Sequence, residues 1–200
     1  MKRFIKQKTF IEDLFIIKPL VFKDDRGFFY ESYNKKDFFE LGIKDEFVQD
    51  NHSKSQKNVL RGLHFQKNYP QGKLIRVIKG KIYDVVVDLR KKSSTFGKWF
   101  GVELSDKNRF MLYIPKGFAH GFLTIEDDTE VLYKVTDYYN PKDEGGIIWN
   151  DKKLNIDWRF EEYKIDEKNL ILSDKDKKQK NFRNKMGIKN VRIKYYCSDI

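Results

Sequence analysis

Short runs of β-type composition recur along this 200-residue chain, and they constrain its fold more than any other feature. The runs are rich in Val, Ile, Phe and Tyr, and clusters of Gly, Asp, Asn and Pro separate them. Many short strands at regular spacing predict an all-β sandwich or barrel of jelly-roll type with a few short helices. The runs lie at 13–22, 24–34, 57–66, 73–90, 98–105, 109–125 and 129–139.

Local patterns add detail to this prediction. The segment "KKDFFELGI" at 35–43 predicts an amphipathic helix that ends at Gly42. The "KGK" step at 79–81 indicates a hairpin or a bend, and the two glycines of "DEGGI" at 143–147 indicate a turn. The more polar segment 150–176 is expected to wrap over the barrel.

Composition narrows the class of protein. The hydrophobic fraction of 40%, with 17 Phe and 11 Tyr, is enough to form a core. No run approaches the roughly 18 apolar residues of a membrane span, and the start "MKRFIKQKTF" lacks the apolar region of a secretory signal. The one cysteine, Cys197, cannot form an intramolecular disulfide, which fits a reducing compartment. We therefore expect a cytoplasmic protein with no membrane partner.

The net charge of +11 is concentrated at one end of the chain. Residues 175–200 hold nine lysines and arginines against two aspartates. A nucleic-acid groove would spread basic residues through the domain and interleave them with aromatic ones, so we expect no nucleic-acid partner. The sequence predicts one domain over 1–176 and a loosely ordered basic tail over 177–200.

The sequence contains no motif of a metal site or of a catalytic nucleophile. The chain has three histidines, His52, His64 and His120. The P-x-G-x-x-H spacing at 115–120 resembles the second motif of cupin barrels, but the H-x-H pair of a cupin metal site is missing. No serine lies in a G-x-S-x-G context, and no phosphate-binding glycine loop occurs. We expect neither a metal nor another cofactor.

The stretch "RGLHFQ" at 61–66 is the best candidate for acid–base chemistry. Alternation along a strand puts His64 on the face opposite Leu63 and Phe65. If those two face a hydrophobic core, His64 faces the other side, which in a barrel can be a ligand cavity. The residues alone leave open a hydrogen-bonded core histidine or a proton-transfer base.

Ordered blocks extend along residues 10–176. They include "FKDDRGFFYESYN" (22–34), "FVQDNHSKS" (47–55), "VLRGLHFQ" (59–66), "IPKGFAHGFL" (114–123), "EVLYKVTDYYNPKDEGGIIWND" (130–151) and "ILSDKD" (171–176). Together these blocks resemble the dTDP-4-dehydrorhamnose 3,5-epimerase family. This resemblance implies a cupin-type jelly roll that acts as a homodimer without a metal and inverts C3 and C5 of dTDP-6-deoxy-D-xylo-4-hexulose.

The resemblance also implies roles for individual residues. His64 matches the proton-abstracting base, Asp176 its carboxylate partner, Tyr133 the opposing acid and Lys73 the cation near the ketone oxygen. Tyr139 matches the ring that stacks on thymine. The positions that match substrate contacts are Arg26, Glu31, Gln49, Asp50, Asn51, Arg61, His120, Glu144 and Lys175.

These residue types suit proton transfer next to a ketone. An imidazole paired with a carboxylate keeps one tautomer and stabilises the imidazolium as it forms. A cation aimed at the ketone oxygen stabilises the enolate. Two alternatives remain at this point: a related epimerase that inverts one carbon or uses another nucleotide, and a non-catalytic sugar-binding cupin.

Overall fold

The structure, a computed structural model, describes residues 2–187. Two antiparallel sheets and a separate hairpin account for the strands, and the helices are short. In chain order the elements are β1 (Phe4–Lys8), β2 (Phe15–Pro19), β3 (Phe22–Asp24), β4 (Gly27–Phe29), α1 (Lys35–Glu40), β5 (Gln49–Ser55), β6 (Leu60–Gln66), β7 (Lys73–Lys79), β8 (Lys81–Asp88), β9 (Trp99–Ser105), β10 (Met111–Ile114), β11 (Phe118–Thr124), β12 (Thr129–Val135), β13 (Glu144–Gly146), a 3₁₀ turn (Glu167–Asn169), α2 (Asp174–Lys177) and α3 (Phe182–Met186).

The two sheets pack face to face as a jelly-roll sandwich, which confirms the predicted fold class. The six-stranded sheet has the order β1-β2-β10-β7-β12-β5, and the five-stranded sheet has the order β13-β6-β11-β8-β9. Residues from both sheets, among them Ile75, Val86 and Phe122, form the apolar layer between them. This layer sets the separation of the two sheets, and the site lies where polar residues replace it.

Each sheet also carries an apolar layer on its outer face. On the six-stranded sheet Phe38 of α1 packs with Ile17 and Met111. On the five-stranded sheet the segment 147–186 covers Leu63 and its neighbours. The prediction that the polar segment 150–176 wraps over the barrel is therefore confirmed.

The chain passes from one sheet to the other at Gly80, so the "KGK" step is a bend and not a hairpin. Strand β7 belongs to the six-stranded sheet and β8 to the five-stranded one. Gly80 has φ +78°, and a Cβ there would lie 2.4 Å from the hydroxyl oxygen of Thr129. Both the positive φ and the contact require glycine.

Strands β1, β5 and β13 were not predicted from the sequence. The two glycines of "DEGGI" form β13, which pairs with β6, so the interpretation of this segment as a turn was wrong. A Cβ on Gly145 would meet the ring of Phe65, and one on Gly146 would meet the side chain of Gln179. The glycines therefore allow neighbouring side chains to lie directly against this edge strand.

The helix predicted at 35–43 is present as α1. The side chain of Asn34 caps its start by accepting hydrogen bonds from the backbone N–H groups of Lys36 and Asp37. The helix ends at Glu40, two residues before Gly42, which has φ +85°.

The described part of the segment expected to be a loose tail, residues 177–187, packs against the domain. Phe182 has no exposed surface, and the backbone of Lys180 pairs with that of Ile147. The basic residues around Phe182 concealed this packing, because charge was the dominant signal there. The rest of that segment, 188–200, lies outside the described residues, as does Cys197.

No helix within 2–187 combines the length and apolar character that a membrane crossing needs.

Candidate active site

Polar side chains from both sheets line a cavity of about 450 Å³ at one end of the sandwich. A second hollow of about 290 Å³ adjoins it, since His64, Lys73 and Tyr133 line both. His64 comes from the five-stranded sheet, whereas Lys73 and Tyr133 come from the six-stranded one. The two walls of the site therefore belong to different sheets.

Strand alternation on β6 directs His64 into this cavity. Leu63 is fully buried in the outer apolar layer, and Phe65 packs against the same layer. The side chain of His64 keeps 29% of its surface exposed and lies beside His120, its register partner on β11. His64 is therefore a cavity residue and not part of a dry core.

His64 is bonded to a buried carboxylate. Its Nε2 lies 2.5 Å from Oδ1 of Asp176, which is 3% exposed. Ser173 donates its hydroxyl to the other oxygen of Asp176 at 2.8 Å. Burial opposes ionisation, but the bonds from His64 and Ser173 outweigh it and hold the pKa of Asp176 below its ordinary value.

The bond to Asp176 determines which nitrogen of His64 can act as a base. An ionised carboxylate only accepts hydrogen bonds, so Nε2 carries the hydrogen and Nδ1 keeps its lone pair. Nδ1 lies 3.9 Å from Oε1 of Glu144. The other oxygen of Glu144 accepts the hydroxyl of Tyr139 at 2.7 Å and forms an ion pair with Lys175.

Burial alters the acid–base properties of the opposite wall. Desolvation lowers the pKa of Lys73 to about 8, although the charges of Asp84 and Glu144 oppose this. Desolvation raises the pKa of Tyr133, with Arg61 opposing the shift. Tyr133 therefore keeps its proton at neutral pH and can donate it.

A second histidine–carboxylate pair lies deeper between the sheets. His120 Nε2 lies 2.8 Å and 3.0 Å from the two carboxylate oxygens of Asp84, which has no exposed surface. Burial lowers the pKa of His120 although Asp84 opposes it, so the imidazole is neutral at pH 7. Asp84 is not among the site residues predicted from the sequence. It alternates with Ile82 and Val86 on the inward face of β8, and an acidic residue in that pattern was a usable signal.

Strand alternation also sorts the predicted residues of β5. Gln49 and Asn51 line the smaller hollow. Asp50 points outward, where Lys134 binds it at 2.9 Å, so the structure does not bring it to the cavity. Ser53, which the sequence analysis also did not select, lines the larger cavity, and its buried hydroxyl has no hydrogen-bond partner among the described residues.

The other predicted residues divide between the cavity and the outer surface. Arg61 lines the larger cavity, and its guanidinium donates to the hydroxyl of Ser55 at 3.1 Å. Arg26 and Glu31 lie away from both hollows: Arg26 forms an ion pair with Asp24 on the exposed β3–β4 hairpin, and Glu31 binds Arg3.

Ser173 was also missed, although its spacing carried a signal. It caps α2 by accepting the backbone N–H of Asp176, and its hydroxyl returns a bond to the carboxylate of the same residue. A serine three positions before an acidic residue is the pattern of a helix-capping box.

Comparisons with known proteins bear directly on this arrangement. The family model described as dTDP-4-dehydrorhamnose 3,5-epimerase matches residues 8–184. The chain belongs to this family. A dTDP-4-dehydrorhamnose 3,5-epimerase of Salmonella typhimurium is 58% identical over 155 residues, which cover 76% of this chain and 85% of that protein.

Solved structures place the fold in the same epimerase family. The dTDP-6-deoxy-D-glucose-3,5-epimerase of Legionella pneumophila, solved in complex with dTDP-4-keto-L-rhamnose, has a TM-score of 0.84 at 46% identity and covers 94% of this chain and 95% of its own. A 3'-monoepimerase of Streptomyces bikiniensis, solved with dTDP-quinovose, has a TM-score of 0.80 at 28% identity and covers 90% of each chain. The members of the 3,5-epimerase family are isomerases, and this chain is one of them.

In this member of the 3,5-epimerase family, no metal-ligand cluster occurs in the described chain. Among residues 2–187 no group of three or more His, Cys, Asp or Glu side chains is arranged to hold a metal ion. The three histidines instead pair with separate carboxylates, those of Glu130, Asp176 and Asp84.

Proposed function

We propose that this protein inverts C3 and C5 of dTDP-6-deoxy-D-xylo-4-hexulose and forms dTDP-4-dehydro-L-rhamnose. The observation that carries the proposal is the position of His64 and Tyr133 on opposite sheets of one cavity. Packed sheets lie about 10 Å apart, which leaves room for a sugar ring between side chains from the two walls. A base on one face of the ring and an acid on the other are what inversion at carbon requires.

Proton transfer begins at the histidine. Nδ1 of His64 removes the proton from a carbon next to the ketone, and the electron pair of that C–H bond moves onto the ketone oxygen as an enolate. Asp176 stabilises the resulting imidazolium through the bond at Nε2. Lys73 stabilises the negative oxygen, a contribution of about 3–4 kcal/mol in comparable sites.

Tyr133 completes the inversion. It gives its phenolic proton to the same carbon from the opposite face as the enolate returns to the ketone. Solvent then restores the proton of Tyr133 and takes up the proton held by His64. Because C3 and C5 flank the ketone at C4, the same groups can act on each carbon in turn. Neutral His120 lies beside this path and suits a hydrogen bond to a sugar hydroxyl.

The smaller hollow suits the nucleotide. Tyr139 exposes half of its surface at the edge of this hollow, where its ring can stack on thymine. Gln49 and Asn51 offer amide groups nearby. Arg61 and Lys175 supply cations for the diphosphate.

Since the substrate is a nucleotide sugar, we place the reaction in the cytoplasm.

A homodimer is part of the proposal. On one face of the β3–β4 hairpin the register partners Phe22 and Phe29 are 48% and 66% exposed, and on the other face Phe28 is 58% exposed. Exposed aromatic clusters of this kind mark protein interfaces. Arg26 lies on the same hairpin and away from its own cavity, so a partner's site could receive it, which would explain how a predicted substrate contact lies outside the site.

Solvent deuterium exchange tests the reaction. The purified protein is incubated with dTDP-6-deoxy-D-xylo-4-hexulose in D₂O together with a reductase that traps the product. We expect deuterium at both C3 and C5 and the L-rhamno configuration. No exchange at either carbon would contradict the proposal.

A second candidate is a monoepimerase, which the similarity to the 3'-monoepimerase structure favours. Deuterium at C3 alone in the same experiment would establish this alternative. Both reactions use the same base, so a His64→Asn variant is expected to lose exchange at every carbon while it still binds dTDP. Near-normal exchange in that variant would remove His64 from the mechanism.

A further inference from the structure

The carboxylate that pairs with His64 lies on a segment fixed to the sheet at two points, before and after it. Before α2, the backbone N–H of Leu60 donates to the carbonyl of Ile171 at 3.1 Å. After α2, the backbone N–H of Ile148 donates to the carbonyl of Lys180 at 3.0 Å. We call residues 171–187 the C-terminal strap; Asp176 lies between its two backbone attachments.

The helix that carries Asp176 cannot hold this position by itself. Helix α2 has four residues, and a single turn is unstable in isolation because nucleation costs more than one hydrogen bond returns. Ser173 orients the carboxylate within this turn, but it does not fix the turn relative to β6. Besides the ion pair between Lys175 of α2 and Glu144 of β13, the position of Asp176 relative to His64 therefore depends on the two backbone attachments.

The second attachment is reinforced by side chains that have no contact with the cavity. The side chain of Gln179 lies directly over Gly146, the register partner of His64 on β13. Phe182 is fully buried in the outer apolar layer, with its ring centroid 5.6 Å from that of Phe96. Its backbone N–H donates to Oδ2 of the buried Asp151 at 2.7 Å.

We infer that Gln179 and Phe182 are positioning residues, which hold Asp176 against His64 from the far side of the sheet. The inference rests on the proposed function for the roles of His64 and Asp176. Loss of Phe182 frees the end of the strap, lengthens the bond between Asp176 and His64 and weakens proton abstraction. Neither Gln179 nor Phe182 lines either hollow, but Lys175, which we assign to the diphosphate, lies on the same strap, so substrate binding should weaken as well.

The test measures Phe182→Ala, Phe182→Leu and Gln179→Ala in the full chain, each with and without Asp176→Asn. We expect Phe182→Ala to lower kcat about tenfold and to raise KM through the displaced Lys175, and the other two to act in the same direction but less. In the Asp176→Asn background the same substitutions should lower kcat no further, because the group they position is already neutralised.

Leu154→Ala is the matched control. Leu154 is 1% exposed in the same apolar layer but lies outside the strap. Its loss should lower the melting temperature as Phe182→Ala does while kcat stays within about twofold of wild type. If Phe182→Ala does not fold, Phe182→Leu and Gln179→Ala carry the comparison.

Amide hydrogen exchange provides a readout that does not need turnover. Phe182→Ala should speed exchange across 171–180 specifically, whereas Leu154→Ala should not. Equal losses of kcat from Phe182→Ala in both backgrounds, or an unchanged kcat with faster exchange, would overturn the inference. An inactive wild type would instead overturn the proposed function, and the exchange result would still decide whether the strap is anchored at Phe182.

Discussion

Charged and neutral forms of neighbouring side chains determine what the cavity can do. Burial lowers the pKa of both His120 and Lys73, and the charge of Lys73 lowers the pKa of His120 further. The histidine is neutral at pH 7, while Lys73, with a pKa of about 8, remains largely protonated. Asp84 favours the protonated lysine, since its charge raises the pKa of Lys73 against the effect of burial.

The alkaline limb of the pH profile tests the role of Lys73. Stabilisation of the enolate needs the protonated amine, so kcat/KM should fall as the pH rises through about 8. Asp84→Asn removes a nearby negative charge, so the pKa of Lys73 drops further and the limb moves to lower pH. The arginine of Lys73→Arg keeps its charge at alkaline pH, so kcat/KM of this variant should no longer fall as the pH rises through about 8. A limb at the same pH in wild type and Asp84→Asn would argue against this assignment.

Tyr133→Phe should separate proton removal from inversion. The phenyl ring keeps the packing, but the proton donor is lost, a change worth roughly 10²–10⁴ in rate for a positioned acid. His64 still removes and returns a proton on one face of the sugar ring. The variant should therefore retain deuterium exchange at a rate well above its rate of inversion. Both rates are read from NMR of the sugar in D₂O, with Tyr30→Phe, outside the cavity, as the control. Equal loss of both rates would assign Tyr133 a different role.

The family motifs were enough to select candidate residues for the site, but not to say which of them the fold brings to the cavity. Alternation along β6 left His64 undecided between core and cavity, since it does not say what lies beyond the strand. Asp50 and Asn51 are adjacent in the same motif, yet β5 directs only Asn51 inward. The inward face of β5 lines a cavity and is therefore polar. The strand has no alternation of apolar and polar residues, so its sequence did not show which residues face inward.

At the scale of elements, β6 and β11 approach unusually closely beside the two cavity histidines. Gly62 has φ +115°, and a Cβ there would lie 2.5 Å from Cα of Gly121. That contact is with backbone, so no side-chain rotation relieves it. The pair allows the two strands to place His64 and His120 side by side.

Gly62→Ala should therefore destabilise the protein far more than Gly27→Ala. Both glycines have positive φ, but nothing lies within 4 Å of a Cβ at Gly27. We expect about 1–2 kcal/mol from backbone strain alone at Gly27 and more than about 3 kcal/mol at Gly62, where overpacking adds to it. Chemical denaturation measures both. Similar losses would show that strand spacing at Gly62 tolerates a methyl group.

At the scale of the whole molecule, the jelly roll was predictable because its strand segments are rich in β-forming residues. The packing of residues 177–187 against the domain was not predictable. Lysines and arginines around Phe182 made residues 177–187 resemble a solvated tail. In the structure, the buried ring of Phe182 and the backbone bond of Lys180 to Ile148 attach that segment to the domain. Local composition does not report such a contact, because it depends on a groove formed by distant residues.

The proposed dimer is tested at the hairpin. Phe29→Asp places a charge in the exposed aromatic cluster and should convert the dimer to monomer in analytical ultracentrifugation. Phe39→Asp, at 59% exposure on α1, alters an equally exposed ring elsewhere and should leave the dimer intact. If both variants sediment as the wild type does, the hairpin is not the interface.

The separation of His64 and Asp176 along the chain has a consequence for biosynthesis. The two residues are 112 positions apart. A ribosome working at roughly 5–20 residues per second makes the second about 6–22 s after the first. The last strand of the two sheets ends at Gly146, so every strand of the sandwich is translated before Asp176 is, and the sheets can assemble around a cavity whose histidine still lacks its carboxylate. On the proposed function, the newly made protein should become active only once the strap has docked.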